Sequence, residues 1–142
     1  MLFRSDLLLA FDGIEQMLVS LRSAGRRLGI VTSKSHDAVD LAGRVLPWLG
    51  GLFDVVIAAE DSVRHKPEAD PILEALSRLG AAPESAVYVG DAPFDIRAGR
   101  AAGVTTIAVP WGFFSRSALI AEAPDALAET PADLARMCLE GL

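Results

Sequence analysis

The sequence predicts an α/β fold in which a mostly parallel sheet is covered by helices on both faces. Short apolar runs alternate along the chain with segments whose apolar residues recur at helical spacing. Continuous apolar runs are typical of parallel strands, because helices bury both faces of such a sheet. The length of 142 residues and the apolar content of 51% are those of one domain, covering residues 1–142.

Four apolar runs are predicted to be strands, at residues 28–32, 54–58, 86–89 and 104–109. A fifth run, residues 7–11, has the length of a strand but no β-branched residue. It is ambiguous between a buried strand and a helical turn.

Helices are predicted between these runs, and each shows apolar residues on one face or a recognisable end signal. The first begins near Ile14, where Asp12 is placed to cap it, and it ends at Gly25. The others are predicted at residues 36–46, 68–79, 96–102, 117–122 and 131–139.

Composition limits the classes of function. The chain has 19 acidic and 13 basic residues and a net charge of −6, which disfavours a nucleic-acid partner because such partners require a basic surface. Cys138 is the only cysteine, so neither an internal disulfide nor a cysteine cluster for zinc is available. No run has membrane-spanning length and no signal peptide is evident, so we expect a cytoplasmic protein without a membrane partner.

Polar residues follow the predicted strands, at the edge of the sheet where parallel α/β proteins bind ligands. Thr32 and Ser33 end the 28–32 strand, and their hydroxyls and the next backbone N–H groups are donors suited to phosphate. The alternative is that they cap the following helix. Lys66 follows the 54–58 strand, and Pro67 biases it toward an extended conformation from which it can reach a phosphate. A solvated surface lysine is the alternative.

The next strand leads into Gly90-Asp91-Ala92-Pro93-Phe94-Asp95, predicted to be a tight acidic loop in which Gly90 provides the turn. Two carboxylates this close repel each other unless a cation lies between them. Mg²⁺ typically takes one or two protein carboxylates together with phosphate oxygens. The alternative is that Asp91 caps the helix and Asp95 is an exposed acid of its first turn.

Hydroxyl donors, a cation and paired acids at three strand ends together describe a site for Mg²⁺-assisted phosphoryl transfer. At this point the sequence resembles the haloacid dehalogenase superfamily of phosphatases, in particular its phosphoglycolate phosphatase-like branch. The resemblance covers about residues 12–138. It is most specific over residues 95–104 followed by Trp111-Gly112, which are similar to that branch over many consecutive positions.

The resemblance implies a Rossmann-like three-layer α/β/α fold and the hydrolysis of phosphate monoesters through an aspartyl-phosphate. It implies that Thr32 and Ser33 bind the phosphate, that Lys66 binds it and steadies the nucleophile, and that Asp91 and Asp95 bind Mg²⁺. Lys66 and Asp91 are therefore candidate catalytic residues, and a small phosphorylated metabolite is the expected partner.

The sequence departs from the superfamily's first motif, Asp-x-Asp-Gly, which provides the nucleophile and then the general acid and base. No Asp-x-Asp occurs in the chain. In the nearest match, Ala10 takes the nucleophile's place and cannot form an acyl-phosphate, which leaves Asp12 as a candidate for the acid. Asp6 cannot substitute if residues 7–11 form a strand, because it would lie near the opposite end.

A second alignment compares Asp12-Gly13-Ile14 with the segment that returns from the cap domain to the core. The chain then corresponds to the C-terminal part of a phosphatase, without the first motif and nearly all of the cap. The superfamily's first strand lies between the strands predicted at 28–32 and 86–89, and its loss would leave two strand edges unpaired. We therefore expect residues 7–11, or a segment of another polypeptide, to occupy that position.

Two functions follow from the sequence. The first is a Mg²⁺-dependent phosphatase that is truncated or inactive as this chain. The second is a non-catalytic module that binds phosphate, Mg²⁺ or a protein. A receiver-like domain phosphorylated at Asp91 fits less well, because Asp95 and a phosphatase-like tract follow it. Self-association and a complementing N-terminal polypeptide stay open as interactions.

Overall fold

The computed structural model describes residues 2–3 and 12–142. Its helices are Ile14–Ser23 (α1), His36–Val45 (α2), Asp70–Leu79 (α3), Pro93–Ala102 (α4), Arg116–Ile120 (α5) and Pro131–Glu140 (α6). Its strands are Leu2–Phe3 (β1), Gly29–Val31 (β2), Val55–Ile57 (β3), Val87–Gly90 (β4), Thr105–Ala108 (β5) and Ala126–Leu127 (β6). None of these helices in the described ranges is long and apolar enough to cross a bilayer.

The six strands form one sheet in the order β3-β2-β1-β4-β5-β6, and every neighbouring pair is parallel. Helices α1 and α6 contact each other on one face, and α3 and α4 contact each other on the opposite face. The predicted α/β fold with a parallel sheet between two helical layers is therefore confirmed. Strand β6 was not predicted, because two residues are too few to show a pattern.

The central position of the sheet is occupied by Leu2–Phe3. Leu2 lies opposite Gly29 of β2 and opposite Tyr88 of β4, so β1 pairs with both neighbours. The expectation that residues 7–11 or another polypeptide would fill this position is wrong. Any short extended segment can satisfy the backbone groups of the two edges, so the apolar length of residues 7–11 did not decide the pairing. Residues 4–11 lie outside the described residues. Asp6 was set aside on the assumption that residues 7–11 form the central strand, and Leu2–Phe3 takes that position instead.

The two larger apolar cores lie on the two faces of the sheet. The first is formed with α1 and α6 and contains Ile14, Met17, Leu18, Leu21, Leu28, Ile30, Val89, Ile107, Val109, Ala128 and Leu134. The second is formed with α3 and α4 and contains Val31, Val55, Ile57, Ile72, Ala75, Leu76, Ala86, Tyr88, Ala98, Ala102 and Val104. Because side chains alternate along a strand, adjacent residues of β2 and β4 enter different cores.

Candidate functional site

Lys66 lies at the centre of a buried polar cluster at the carboxyl ends of β2 and β4. Its side chain is 1% exposed. Its Nζ donates hydrogen bonds to Asp95 Oδ1 at 2.9 Å and to the Tyr88 hydroxyl at 3.0 Å. A longer contact of 3.4 Å joins Nζ to the carbonyl oxygen of Val31. The alternative that Lys66 is a solvated surface lysine is therefore wrong.

Asp95 is held by hydrogen bonds at both carboxylate oxygens. Oδ1 accepts from Lys66 and, at 3.2 Å, from the Tyr88 hydroxyl, while Oδ2 accepts from the backbone N–H of Ala92 at 3.2 Å. Helix α4 begins at Pro93, so Asp95 lies in its first turn and not in a loop. The alternative of an exposed first-turn acid is also wrong, because Asp95 is fully buried.

Gly90 permits the close packing that positions Asp95. It is the last residue of β4, and its φ is not in the left-handed region, so it does not provide the predicted turn. A Cβ atom at Gly90 would lie 2.3 Å from Asp95 Cβ. A Cβ at Gly99 would likewise lie 2.5 Å from Thr106 Cγ2. Glycine at these two positions therefore lets α4 approach β4 and β5 closely.

Asp91 follows β4 and is 1% exposed. The N-cap of α4 is Ala92, so the alternative that Asp91 caps this helix is wrong. The backbone of Gly112 packs directly on its carboxylate, since a Cβ at Gly112 would lie 2.3 Å from Asp91 Oδ2. The part of the chain that the structure describes contains no group of three or more His, Cys, Asp or Glu residues that could hold a metal.

Thr32 lies directly after β2 and is 5% exposed. Its Oγ1 accepts a hydrogen bond from the backbone N–H of Lys34 at 3.1 Å. The N-cap of α2 is Ser35, whose Oγ accepts from the N–H of Ala38 at 3.2 Å. The alternative that Thr32 and Ser33 cap this helix is therefore wrong, and Ser33 is exposed.

A side-chain contact joins the first residue of α2 to the turn after β3. His36 Nε2 lies 2.8 Å from Asp61 Oδ2, and the Glu60 carboxylate accepts a hydrogen bond from the backbone N–H of His36 at 3.1 Å. The hydrogen bond to Asp61 raises the pKa of His36 above its usual value. The pKa of Asp61 is lowered, chiefly by the hydrogen bond that its carboxylate accepts from the N–H of Ala58. These contacts hold the start of α2 beside the segment that leads to Lys66.

Asp12, the candidate for the general acid, is exposed in the turn before α1. The N-cap of α1 is Gly13, without a side-chain cap, so the predicted capping role of Asp12 is wrong.

Sequence reasoning missed Tyr88 as a member of the cluster. Tyr88 is the only tyrosine of the chain and lies in an otherwise aliphatic strand. A buried tyrosine usually finds a hydrogen-bond partner for its hydroxyl, and this was the available signal. The packing of Gly112 on Asp91 left no such signal, because the two residues lie on different loops.

Comparison with known proteins gives a family match over most of the chain. The family model described as haloacid dehalogenase-like hydrolase matches residues 3–109. The chain is 38% identical over 129 residues to pyrophosphatase PpaX of Bacillus velezensis, covering 91% of this chain and 59% of that protein.

Solved structures show the same fold. A haloacid dehalogenase-like hydrolase from Streptococcus pneumoniae superposes with a TM-score of 0.78 at 31% identity, covering 87% of this chain and 57% of that one. A Lactobacillus delbrueckii protein provisionally named a phosphoglycolate phosphatase gives a TM-score of 0.84 at 31% identity, covering 92% of this chain and 54% of that one. This chain thus spans little more than half the length of these relatives.

Proposed function

The chain belongs to the haloacid dehalogenase-like hydrolase family, and from this premise we propose that it carries the phosphate- and Mg²⁺-binding part of a phosphatase. The observation that carries the proposal is the buried Lys66, held by Asp95 and Tyr88 at the carboxyl end of the sheet. The proposed ligand is a small phosphate monoester. The name of the Bacillus velezensis relative adds pyrophosphate as a second candidate.

The phosphate would be held by Thr32, Ser33 and Lys66. The Thr32 hydroxyl accepts one hydrogen bond from Lys34 and keeps its own hydrogen to donate to a phosphate oxygen. Lys66 already touches the end of β2 through the carbonyl of Val31, and this 3.4 Å contact is longer than those with Asp95 and Tyr88. A phosphate oxygen would replace that contact while Asp95 and Tyr88 keep the ammonium group in place.

A Mg²⁺ ion fits the donor set at the end of β4. Mg²⁺ binds proteins through one or two carboxylates, with water and substrate phosphate oxygens as its other ligands. Asp91 is a buried carboxylate at this position and would hold the ion, with Asp95 as the second proposed ligand. When bound, the ion polarises a phosphoryl oxygen and stabilises the charge that develops on it. Asp95 also orients Lys66 through Oδ1, so it contributes both to the proposed Mg²⁺ site and to the proposed phosphate site.

This sequence contains no Asp-x-Asp motif, which provides the nucleophile in the superfamily. We propose that the covalent step needs an Asp-x-Asp segment in addition to these 142 residues, with Asp12 or that segment supplying the acid. A complementing polypeptide is one source of it. The second candidate function is a module that binds phosphate and Mg²⁺ without turnover. Ala10, at the nucleophile's place in the nearest sequence match, favours this alternative.

Hydrolysis assays test the site assignment. With phenyl phosphate or pyrophosphate and Mg²⁺, we expect turnover by the chain alone to stay at background. Addition of a polypeptide that carries the Asp-x-Asp segment is expected to restore turnover in the phosphatase case and not in the module case.

The variants Asp91→Asn and Lys66→Ala, assayed together with the added Asp-x-Asp polypeptide, decide whether the restored turnover comes from the proposed site. Both are expected to abolish it, whereas Arg116→Ala, which removes an exposed ion pair with Glu129, is expected to leave it unchanged. Substantial turnover that survives both site variants would contradict the assignment.

A further inference from the structure

We propose that the loop after β5 provides a subsite for an aromatic group of the phosphorylated ligand, with Phe113 as its contact surface. The inference rests on the proposed phosphate site, because the subsite lies next to it. The ligand class is therefore a phosphate monoester whose organic part is an aromatic ring.

A row of aromatic rings connects Lys66 to Phe113. Lys66 Nζ lies 5.8 Å from the ring centroid of Phe94. The rings of Phe94 and Phe114 meet edge to face with centroids 6.3 Å apart, and those of Phe114 and Phe113 do so at 6.0 Å. These are ordinary distances for aromatic pairs. The row thus begins at the ammonium group that would hold the phosphate and ends at the surface.

Phe113 is the exposed end of this row, and its side chain is 91% exposed. The loop that carries it is fixed on both sides. Gly112 packs on Asp91, and Phe114 packs against the core formed by Ile96, Ala108 and Leu119.

An exposed ring on a fixed loop is suited to binding a ligand. Its apolar surface is in contact with water, and a second ring placed against it would remove that contact without ordering the loop first. Because the preceding residue, Gly112, packs on the carboxylate proposed to bind Mg²⁺, this ring belongs to the loop beside the proposed phosphate site.

Two phosphate monoesters of equal charge test the proposal. Methyl phosphate and phenyl phosphate carry the same phosphate group and differ in the organic group, a methyl against a ring, and inorganic phosphate reports on the phosphate site. Each is titrated into the isotope-labelled chain with Mg²⁺, and the amide signals of Gly90 and Gly112 are followed by NMR. We expect phenyl phosphate to bind about three- to tenfold more tightly than methyl phosphate, the range measured for aromatic pairs.

Variants assign this preference to Phe113. Phe113→Ala is expected to bring the two esters to equal affinity and to leave inorganic phosphate unchanged. Phe113→Leu keeps an apolar side chain and is expected to retain part of the preference. Val45→Ala, at another exposed apolar residue on α2, is expected to retain all of it.

The outcomes separate this inference from the proposed function. Equal affinity of the unmodified chain for the two esters, or a preference that survives Phe113→Ala, overturns the subsite while binding of inorganic phosphate upholds the phosphate site. If none of the three ligands binds, the phosphate site itself is contradicted, and the subsite with it.

Discussion

The two helices that follow proposed site residues, α4 after β4 and α2 after β2, differ in how closely they pack on the rest of the fold. Helix α4 buries Asp95, Ile96, Ala98, Gly99 and Ala102. Helix α2 buries no residue, and its apolar residues Leu41 and Val45 are 60% and 72% exposed. The start of α2 is held to its neighbours by the pair of His36 and Asp61.

This difference parallels the two tasks of the proposed site. Asp91 and Asp95 lie at the start of the closely packed α4, where glycines at positions 90, 99 and 112 leave no room for a Cβ. Thr32 and Ser33 lead into the loosely packed α2. Burying a charged group is costly unless its partners are held in a fixed geometry. Asp91, Asp95 and Lys66 therefore require close packing, whereas the hydroxyl groups of Thr32 and Ser33 do not.

The largest expected effect comes from breaking the buried ion pair. Lys66→Met leaves the Asp95 carboxylate buried without its cation, and we expect the free energy of unfolding to fall by about 3–5 kcal/mol. Urea denaturation followed by circular dichroism measures this. The matched control is Arg116→Ala, which removes the exposed pair with Glu129 and should cost at most about 1 kcal/mol. Equal losses in the two variants would show that the buried pair does not stabilise the fold.

Alanine at two glycines compares the surroundings of α4 and of α2 directly. Gly90→Ala forces a Cβ against Asp95, and we expect a loss of about 1–3 kcal/mol, typical of an overfilled core. A Cβ at Gly43 in α2 would have no neighbour within 4 Å, so Gly43→Ala should stabilise the chain by about 0.5–1 kcal/mol through helix propensity. Urea denaturation of both variants measures the sign of each change in the free energy of unfolding. Destabilisation by Gly43→Ala would contradict the loose packing of α2.

The smallest effect is expected from the protonation of His36 at the start of α2. Hydrogen bonding to Asp61 raises the pKa of His36, and the charges of Asp61, Glu60 and Asp40 add to it. A raised pKa in the folded state means that the pair stabilises the fold below the unfolded value of 6.5 and ceases to do so as pH rises through the folded pKa. NMR titration of the imidazole measures this pKa, and Asp61→Asn should lower it. An unchanged titration in that variant would show that Asp61 does not hold His36.

The fold was largely predictable, because most strands are apolar runs and most helices carry a periodic apolar face. The central strand was not. The resemblance to the superfamily implied a strand between β2 and β4, but Leu2–Phe3 is too short to show any pattern, and residues 7–11 matched a strand better. Local pattern cannot decide between two segments when the pairing is set by the whole sheet.

The site was predictable where residues share a loop or a motif and not where they meet across the fold. Thr32, Lys66, Asp91 and Asp95 were identified from their positions after strands. Their roles as ligands of phosphate and Mg²⁺ stay predictions. The contacts of Tyr88 with Lys66, and of Gly112 with Asp91, depend on how close α4 and the loop after β5 approach the sheet, and spacing along the chain contains no measure of that distance.

Calorimetric titration of the chain with inorganic phosphate, with and without Mg²⁺, is the decisive measurement for the proposed phosphate site. We expect saturable binding that requires Mg²⁺. Thr32→Val, which removes one hydroxyl donor, should weaken it by about three- to tenfold. Thr130→Val, which removes the hydroxyl that caps α6, should leave it unchanged. Absence of binding, or equal binding by the unmodified chain and Thr32→Val, would contradict the claim that this end of the sheet is a phosphate site.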